Sequence, residues 1–294
     1  MKKIIAVHNG DFHADDICAV ATLVLAFPDI KFEIKRTREM GVIDGADFVV
    51  DVGQVYDPAR ERFDHHQAEG AGKRENGIPL ASFGLVWKKY GEKISSSEKI
   101  AEKIDQKMIA YIDAVDNGVS TFSTLFAQVF PYTIHNFFGS FLTFGQSSEE
   151  KNEIFIKLVN IAKDLIKREI KNEILAESLK NEIESVYKEA ERKEIIILSR
   201  SGPWQEILTR FSEPKFVVYP ESDNGSWRAK SVPKTIGTFE SRKQFPESWA
   251  GLSGAELAKA SGVSDAIFCH RGRFLASAQT KEGAIKFAEL ALNS

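Results

Sequence analysis

Four of the six histidines in this 294-residue chain, His8, His13, His65 and His66, fall within its first 66 residues. Each stands within two positions of an aspartate or at the exit of an apolar run, a crowding that core packing does not call for. Imidazole and carboxylate together suit Mn, Fe or Zn rather than calcium, which prefers oxygen alone. Roughly three of each would suit a pair of ions about 3.5 to 4 Å apart, able to clamp a phosphoryl oxygen and activate water. The stretch Asp64-His65-His66 is the most informative, because adjacent histidines point in different directions: one can ligate metal while the other faces substrate. The plainer account of a His-His pair is a solvated loop; the other ligand candidates nearby weigh against it. Asp15 and Asp16 open a helix, where one of them, Asp16, could serve only to complement the helix dipole.

The last hundred residues offer anion-binding groups instead. Arg228 and Lys230 flank Ala229 in an alternating run, so a strand there would put both on one face. His270, Arg271 and Arg273 follow an apolar run beside Gly272. Basic residues on a solvated strand edge also discourage aggregation, but arginine forks match phosphate oxygens in pairs, which favours substrate binding. Other signals read as structural. Cys18 on an apolar helix is a buried thiol, His135 stands alone, and the 21 phenylalanines read chiefly as core.

The elements that must position these groups follow from periodicity and turn signals. Lys3 to Val7 reads as a buried strand ending at a turn, Ala14 to Phe27 as a helix stopped by Pro28, and Phe32 to Lys35 and Phe48 to Val50 as further strands. His8 and Asp51 then lie just past the carboxyl ends of strands, where open parallel sheets place their ligand sites. Helices are expected over Leu80 to Tyr90 and Ser97 to Val115, with Gly118 as a left-handed cap. The Lys- and Glu-dense stretch 147–194 predicts one or two long linking helices, read as a solvated linker, with a homodimer face as the alternative. A second α/β unit is expected from 195 to 294, with strands at Ile195 to Leu198, Phe216 to Tyr219, Trp227 to Val232 and Ala266 to His270. Its helices are expected at Ser253 to Ala260 and Lys281 to Leu292.

Composition bounds the reading. At 43% hydrophobic and 28% charged, the chain can bury ordinary cores without cross-links. Two distant cysteines suggest neither a disulfide framework nor a zinc knuckle, and a reducing, cytoplasmic setting is expected. No signal peptide or membrane span is read. A net charge of -3 argues against tight non-specific binding to a polyanion.

The wording of the motifs is similar to one family. HNGDFHADD (8–16), DVG (51–53) with YDP (56–58), RFDHHQ (62–67), ASFGLVW (81–87) and DAVDNG (113–118) resemble the melanocyte-proliferating-gene (MYG) family of DHH phosphoesterase-like hydrolases. GLSGAEL (251–257) and FCHRGRF (268–274) extend the resemblance through nearly the whole chain. It implies an α/β fold with a parallel-rich DHH-like catalytic domain over 1–146, linking helices over 147–194, and a smaller α/β substrate-binding domain over 195–294, with a cleft between the domains. It also implies His8, His13, Asp15, Asp51, His65 and Asp116 as metal ligands, with Asp113 the alternative to Asp116. Asp64 and His66 become the catalytic pair, and Arg228, Lys230, His270 and Arg271 substrate contacts. The implied cofactor is Mn2+, as one or two ions, with Mg2+, Fe2+ and Zn2+ also compatible. The implied activity is phosphodiester hydrolysis, as a 3'-5' exoribonuclease acting on RNA or a short oligonucleotide. A small-molecule phosphohydrolase and a non-catalytic metal-binding regulator are the competing readings. One departure stands out: the superfamily commonly carries His, three residues, then Asp in its first motif, whereas here His13 follows His8 at a spacing of five. The ligand count is kept and negative charge is lowered.

Overall fold

A computed structural model describes residues 2–221 and 225–294, a mixed α/β protein with two five-stranded sheets. Two compact units divide at residues 174 and 175. Among the described residues no helix is long and apolar enough to cross a membrane.

In the first unit the strands are β1 (Lys2–Val7), β2 (Lys31–Arg36), β3 (Phe48–Val50), β4 (Tyr56–Asp57) and β5 (Arg62–Phe63), arranged β2-β1-β3-β5-β4. All neighbours are parallel except the β4–β5 pair. The sequence reading anticipates the first three and misses β4 and β5, since two residues are too few to show a period. Helix α1 (Ala14–Ala26) is buried along nearly its whole length, so it shows no polar face, and it packs against α3 (Ser82–Ser95). A short α2 (Met40–Asp44) precedes β3. The helix expected up to Val115 is broken into α4 (Glu98–Ile104), a π turn over Asp105–Ile109, and α5 (Ala110–Asp116). Helix α6 (Ile134–Gly139) follows an irregular stretch.

The Lys-Glu region forms one helix, α7 (Ser148–Glu189). Phe155, Leu158, Ala162 and Ile166 belong to the core of the first unit, whereas Ile183 and Tyr187 pack within the second. That change of partner explains why the units divide inside a helix.

The second unit orders β6 (Ile195–Ile197), β7 (Phe216–Pro220), β8 (Trp227–Ser231), β10 (Leu275–Ala278) and β9 (Ala266–Cys269) in one sheet. Only β6–β7 is parallel. Alternation sends Phe216, Val218, Ala229 and Ala276 toward α9 (Gly254–Ser261) and α10 (Lys281–Leu292), and Val217 and Tyr219 toward α8 (Trp204–Leu208). Strand β10 and helix α8 escape the sequence reading; LASA has no β-branched residue, and α8 is a single turn.

The expectation that phenylalanine is core needs correction. Phe12, Phe63, Phe83 and Phe155 are buried, but Phe122, Phe126, Phe130 and Phe144 are exposed. They lie in loops, where no helix or strand turns the rings inward.

Candidate metal centre

Three neighbouring parallel strands deliver the site. β1, β3 and β5 lie side by side, and their carboxyl ends are followed directly by His8, Asp51, and Asp64 with His65. β2 and β3 flank β1 on opposite sides, so His8 and Asp51 stand where the strand order reverses, the place where open α/β sheets bind ligands. The first turn of α1 adds Asp15 and Asp16, and the last residue of α5 adds Asp116. Asp51 has φ of 56°, a left-handed conformation that costs a non-glycine residue energy and is found disproportionately at functional sites.

The two oxygens of Asp51 face different histidines. Oδ2 is 3.3 Å from His8 Nε2, and Oδ1 is 3.3 Å from His65 Nε2. His8 Nε2 also lies 2.9 Å from Asp16 Oδ2, and His65 Nε2 lies 3.1 Å from Asp116 Oδ2. Three sets of side chains accordingly converge closely enough to hold an ion: His8, Asp16 and Asp51; Asp15, His65 and Asp116; and Asp51, His65 and His66. The residues fit a cation on two further grounds. His65 Nε2 and Asp16 Oδ2 are buried without a hydrogen bond of good geometry, despite those short separations; such orphans call for a partner. Burial, reinforced by the charges of Asp116, Asp51 and Asp113, pushes the Asp15 carboxyl well above its ordinary range, a shift that a cation held there would oppose.

Proton distribution follows from the same contacts. Burial lowers the His8 imidazole, but Asp16 and Asp51 outweigh it and raise it to about 10. At His65 the burial penalty is outweighed by Asp116 and Asp51, raising it to about 11. Asp51 moves the other way: burial would raise it, yet His65 and His8 hold it far below the carboxylate range.

The site residues expected from sequence fall into different places. His13 is exposed, its ring 5.9 Å from that of His8, and it belongs to none of the three converging sets. Asp16, given a helix-dipole role by the sequence, stands inside the cluster; its Oδ1 accepts from the backbone of His13 and Ile17 while Oδ2 faces His8. Asp15 accepts from the backbone nitrogens of Ser82 and Phe83, so its carboxylate also caps α3. Asp64, expected to be catalytic, is buried with both oxygens engaged: Oδ2 accepts from Gln54 N and Oδ1 lies 2.7 Å from His66 Nδ1. These contacts hold His66, whose side chain is 56% exposed and so open to a ligand.

Of the two alternatives in the fourth motif, Asp116 faces His65, while Asp113 accepts from Gly84 N and pairs with Arg74. Ser82 is a participant the sequence did not reveal. Its hydroxyl donates to Asp51 across 3.1 Å, and only its place in ASFGLVW hinted at a role.

In the second unit, Arg228 and Lys230 do share a face. Arg228, expected as a substrate contact, is paired with Glu221, and Lys230 lies over the Trp204 ring. His270 Nδ1 accepts from Gly272 N and its ring packs 4.3 Å from that of Phe274, whereas Arg271 is exposed.

Comparison with known proteins agrees with the extent of these motifs. A family model, MYG1_exonuc, described as an uncharacterised protein family (UPF0160), matches residues 4–292. A Mus musculus protein called MYG1 exonuclease is 31% identical over 329 residues, covering 98% of this chain and 84% of its own. The Homo sapiens protein of the same name is also 31% identical, with 98% and 85% covered. A Chlamydia muridarum MYG1 protein is 30% identical over 299 residues, with 99% and 96% covered. With its motifs and nearly its full length matched, the chain belongs to the MYG1 family (UPF0160).

Proposed function

We propose that this protein is a metal-dependent phosphodiester hydrolase of the DHH type, removing nucleotides from RNA or short oligonucleotides in the 3'-to-5' direction. The observation that carries this reading is Asp51, whose two oxygens face separate histidines, each backed by a further carboxylate. Such an arrangement is what a carboxylate shared between two cations requires. The name exonuclease borne by relatives aligned over 98% of this chain supports nuclease chemistry in particular.

His8, Asp16 and Asp51, with His13 alongside, would hold one ion, and Asp51, His65, Asp15 and Asp116 the other. Mn2+, Fe2+ or Zn2+ would suit this mixed imidazole and carboxylate set, and the family resemblance favours Mn2+. Bound there, the ions supply Lewis-acid polarisation of the phosphoryl group and activation of water. The protein's own groups account for the rest. The carboxylates of Asp16, Asp51 and Asp116 would be offset by bound cations, which favours entry of an anionic phosphate. Asp64 fixes the Nδ1 side of His66 and leaves Nε2 to donate to a phosphate oxygen. Asp64 raises the His66 imidazole against the opposing effect of burial, which keeps more of it cationic. Lys230, His270 and Arg271, with Arg228 beside Glu221, are the proposed phosphate contacts of the second unit.

The test is incubation of a labelled RNA oligomer with the purified protein and Mn2+. Stepwise shortening from the 3' end is expected, lost in Asp51→Asn. RNA that stays intact across a series of divalent metals would reject the reading.

A further inference from the structure

From residue 117 to residue 148 the chain carries no Asp, Glu, Lys or Arg, although 28% of the whole sequence is charged. Of the 19 large hydrophobic side chains exposed among the described residues, ten lie between Val119 and Phe144. Leu125 is 93% exposed and Phe144 fully so. Scattered exposed apolar residues need no explanation, but a concentrated patch does. At about 200 Å² per ring, the seven exposed aromatics between Phe122 and Phe144, weighted by exposure, present roughly 900 Å². A stable protein interface buries about 800 Å² on each partner.

The same surface contains a pocket of about 860 Å³, walled by Tyr111, Phe122, Tyr132, Phe137 and Leu165 among others. Protrusions and a hollow therefore occur in one segment that carries no charge of its own, with Lys107 and its paired glutamates at the rim. A nucleic-acid strand would need cations for its phosphates; the one at the rim, Lys107, is already held by Glu169 and Glu173. A partner with an ordinary charged surface would lose hydration there without recovering ion pairs. A segment without charged residues meets its own copy with little repulsion, and a two-fold axis lets the apolar knobs of each copy enter the hollow of the other.

We infer that the aromatic face formed by residues 117–148 is the interface of a homodimer. This inference does not depend on the phosphodiesterase reading, and the Lys-Glu helix enters it only through Ile161 and Leu165, which help line the hollow. Sedimentation and light scattering of the full chain are expected to give a dimer at micromolar concentration. Leu125→Asp and Phe144→Asp, both at exposed positions, should each raise the dissociation constant roughly tenfold or more while circular dichroism stays unchanged. Hydrogen exchange in peptides covering 117–148 should speed up on dilution of the wild type, a readout that needs no variant. A wild-type monomer at high micromolar concentration, or a dimer indifferent to both substitutions, would overturn the inference. So would a monomer that uses Leu125 to bind a single-stranded oligonucleotide or phosphatidylcholine vesicles, since either result would assign the face to another occupant.

Discussion

The hydroxyl of Ser82 donates to Oδ1 of Asp51 across 3.1 Å, with both residues buried. Ser82 is the first residue of α3, and its backbone nitrogen is at the same time held by Asp15. One helix start thus orients two candidate ligands from different strands and helices. Outer partners of metal ligands commonly cost about 10 to 100-fold in metal affinity when removed. Ser82→Ala should weaken Mn2+ binding within that range in a calorimetric titration, with the fold intact because the backbone bond to Asp15 survives. Unchanged affinity would leave Ser82 a structural residue only.

Because Asp partners outweigh burial and raise His8 to about 10 and His65 to about 11, both imidazoles are protonated at neutral pH in the metal-free protein. Metal ligation needs them neutral, so metal uptake at pH 7 should release at least two protons, with a further contribution from Asp15, whose carboxyl is also raised. Calorimetry in buffers of different ionisation enthalpy measures that number directly, and apparent affinity should rise with pH. The sign for folding is opposite. A histidine raised above its unfolded value near 6.5 binds more protons folded than unfolded, so its stabilisation is full below that pH and lost as pH climbs through 10 to 11. Metal-free protein should therefore lose denaturation midpoint across that window. Release of no protons would contradict the imidazolium assignment.

His66 and Asp64 should separate by their pH profiles. His66→Ala is expected to reduce turnover by about 10² to 10⁴-fold while sparing metal content, since a positioned proton donor contributes on that scale. Asp64→Asn keeps the shape of the carboxyl group but removes the charge that raises His66. Its alkaline limb should move to lower pH, because the imidazole loses its proton earlier. A profile that keeps its limb in Asp64→Asn would dissociate the two residues.

How much of this was legible in sequence depends on the range of the interaction. His8 and Asp51 could be placed because each ends an apolar strand at a turn, a local signal. Lys281–Leu292 was bounded to the residue, with Thr280 capping its start. Asp16 is harder to read from sequence because a carboxylate in a first helical turn already has a sufficient local explanation, and only the position of His8 reveals its second contact. Ser82 and Asp51 are 31 residues apart and meet through tertiary packing, which no periodicity reports. The exposed rings of 117–148 read as core in sequence for a related reason: hydrophobicity alone does not say whether a folded element exists to bury it.

Gly84 tests how tightly the wall behind the site is built. It lies in α3, and its backbone nitrogen donates to Asp113 Oδ1 at 3.0 Å. A Cβ added there would stand 2.0 Å from Asp113 Oδ2 and 2.9 Å from Leu80 Cδ2. Asp113 has little freedom to retreat, because it is buried and paired with Arg74, and Arg74 is itself held by both oxygens of Asp105. Alanine is favoured over glycine in a helix by up to about 1 kcal/mol, whereas overpacking a filled core costs about 1 to 3 kcal/mol. The clash should win, lowering the urea midpoint of Gly84→Ala. Since Asp116 follows Asp113 by one turn of α5, the displacement should also reach the His65 side of the metal centre and weaken Mn2+ binding. A Gly84→Ala protein as stable as wild type, or more so, would show that Asp113 and Arg74 yield more easily than their mutual hold implies.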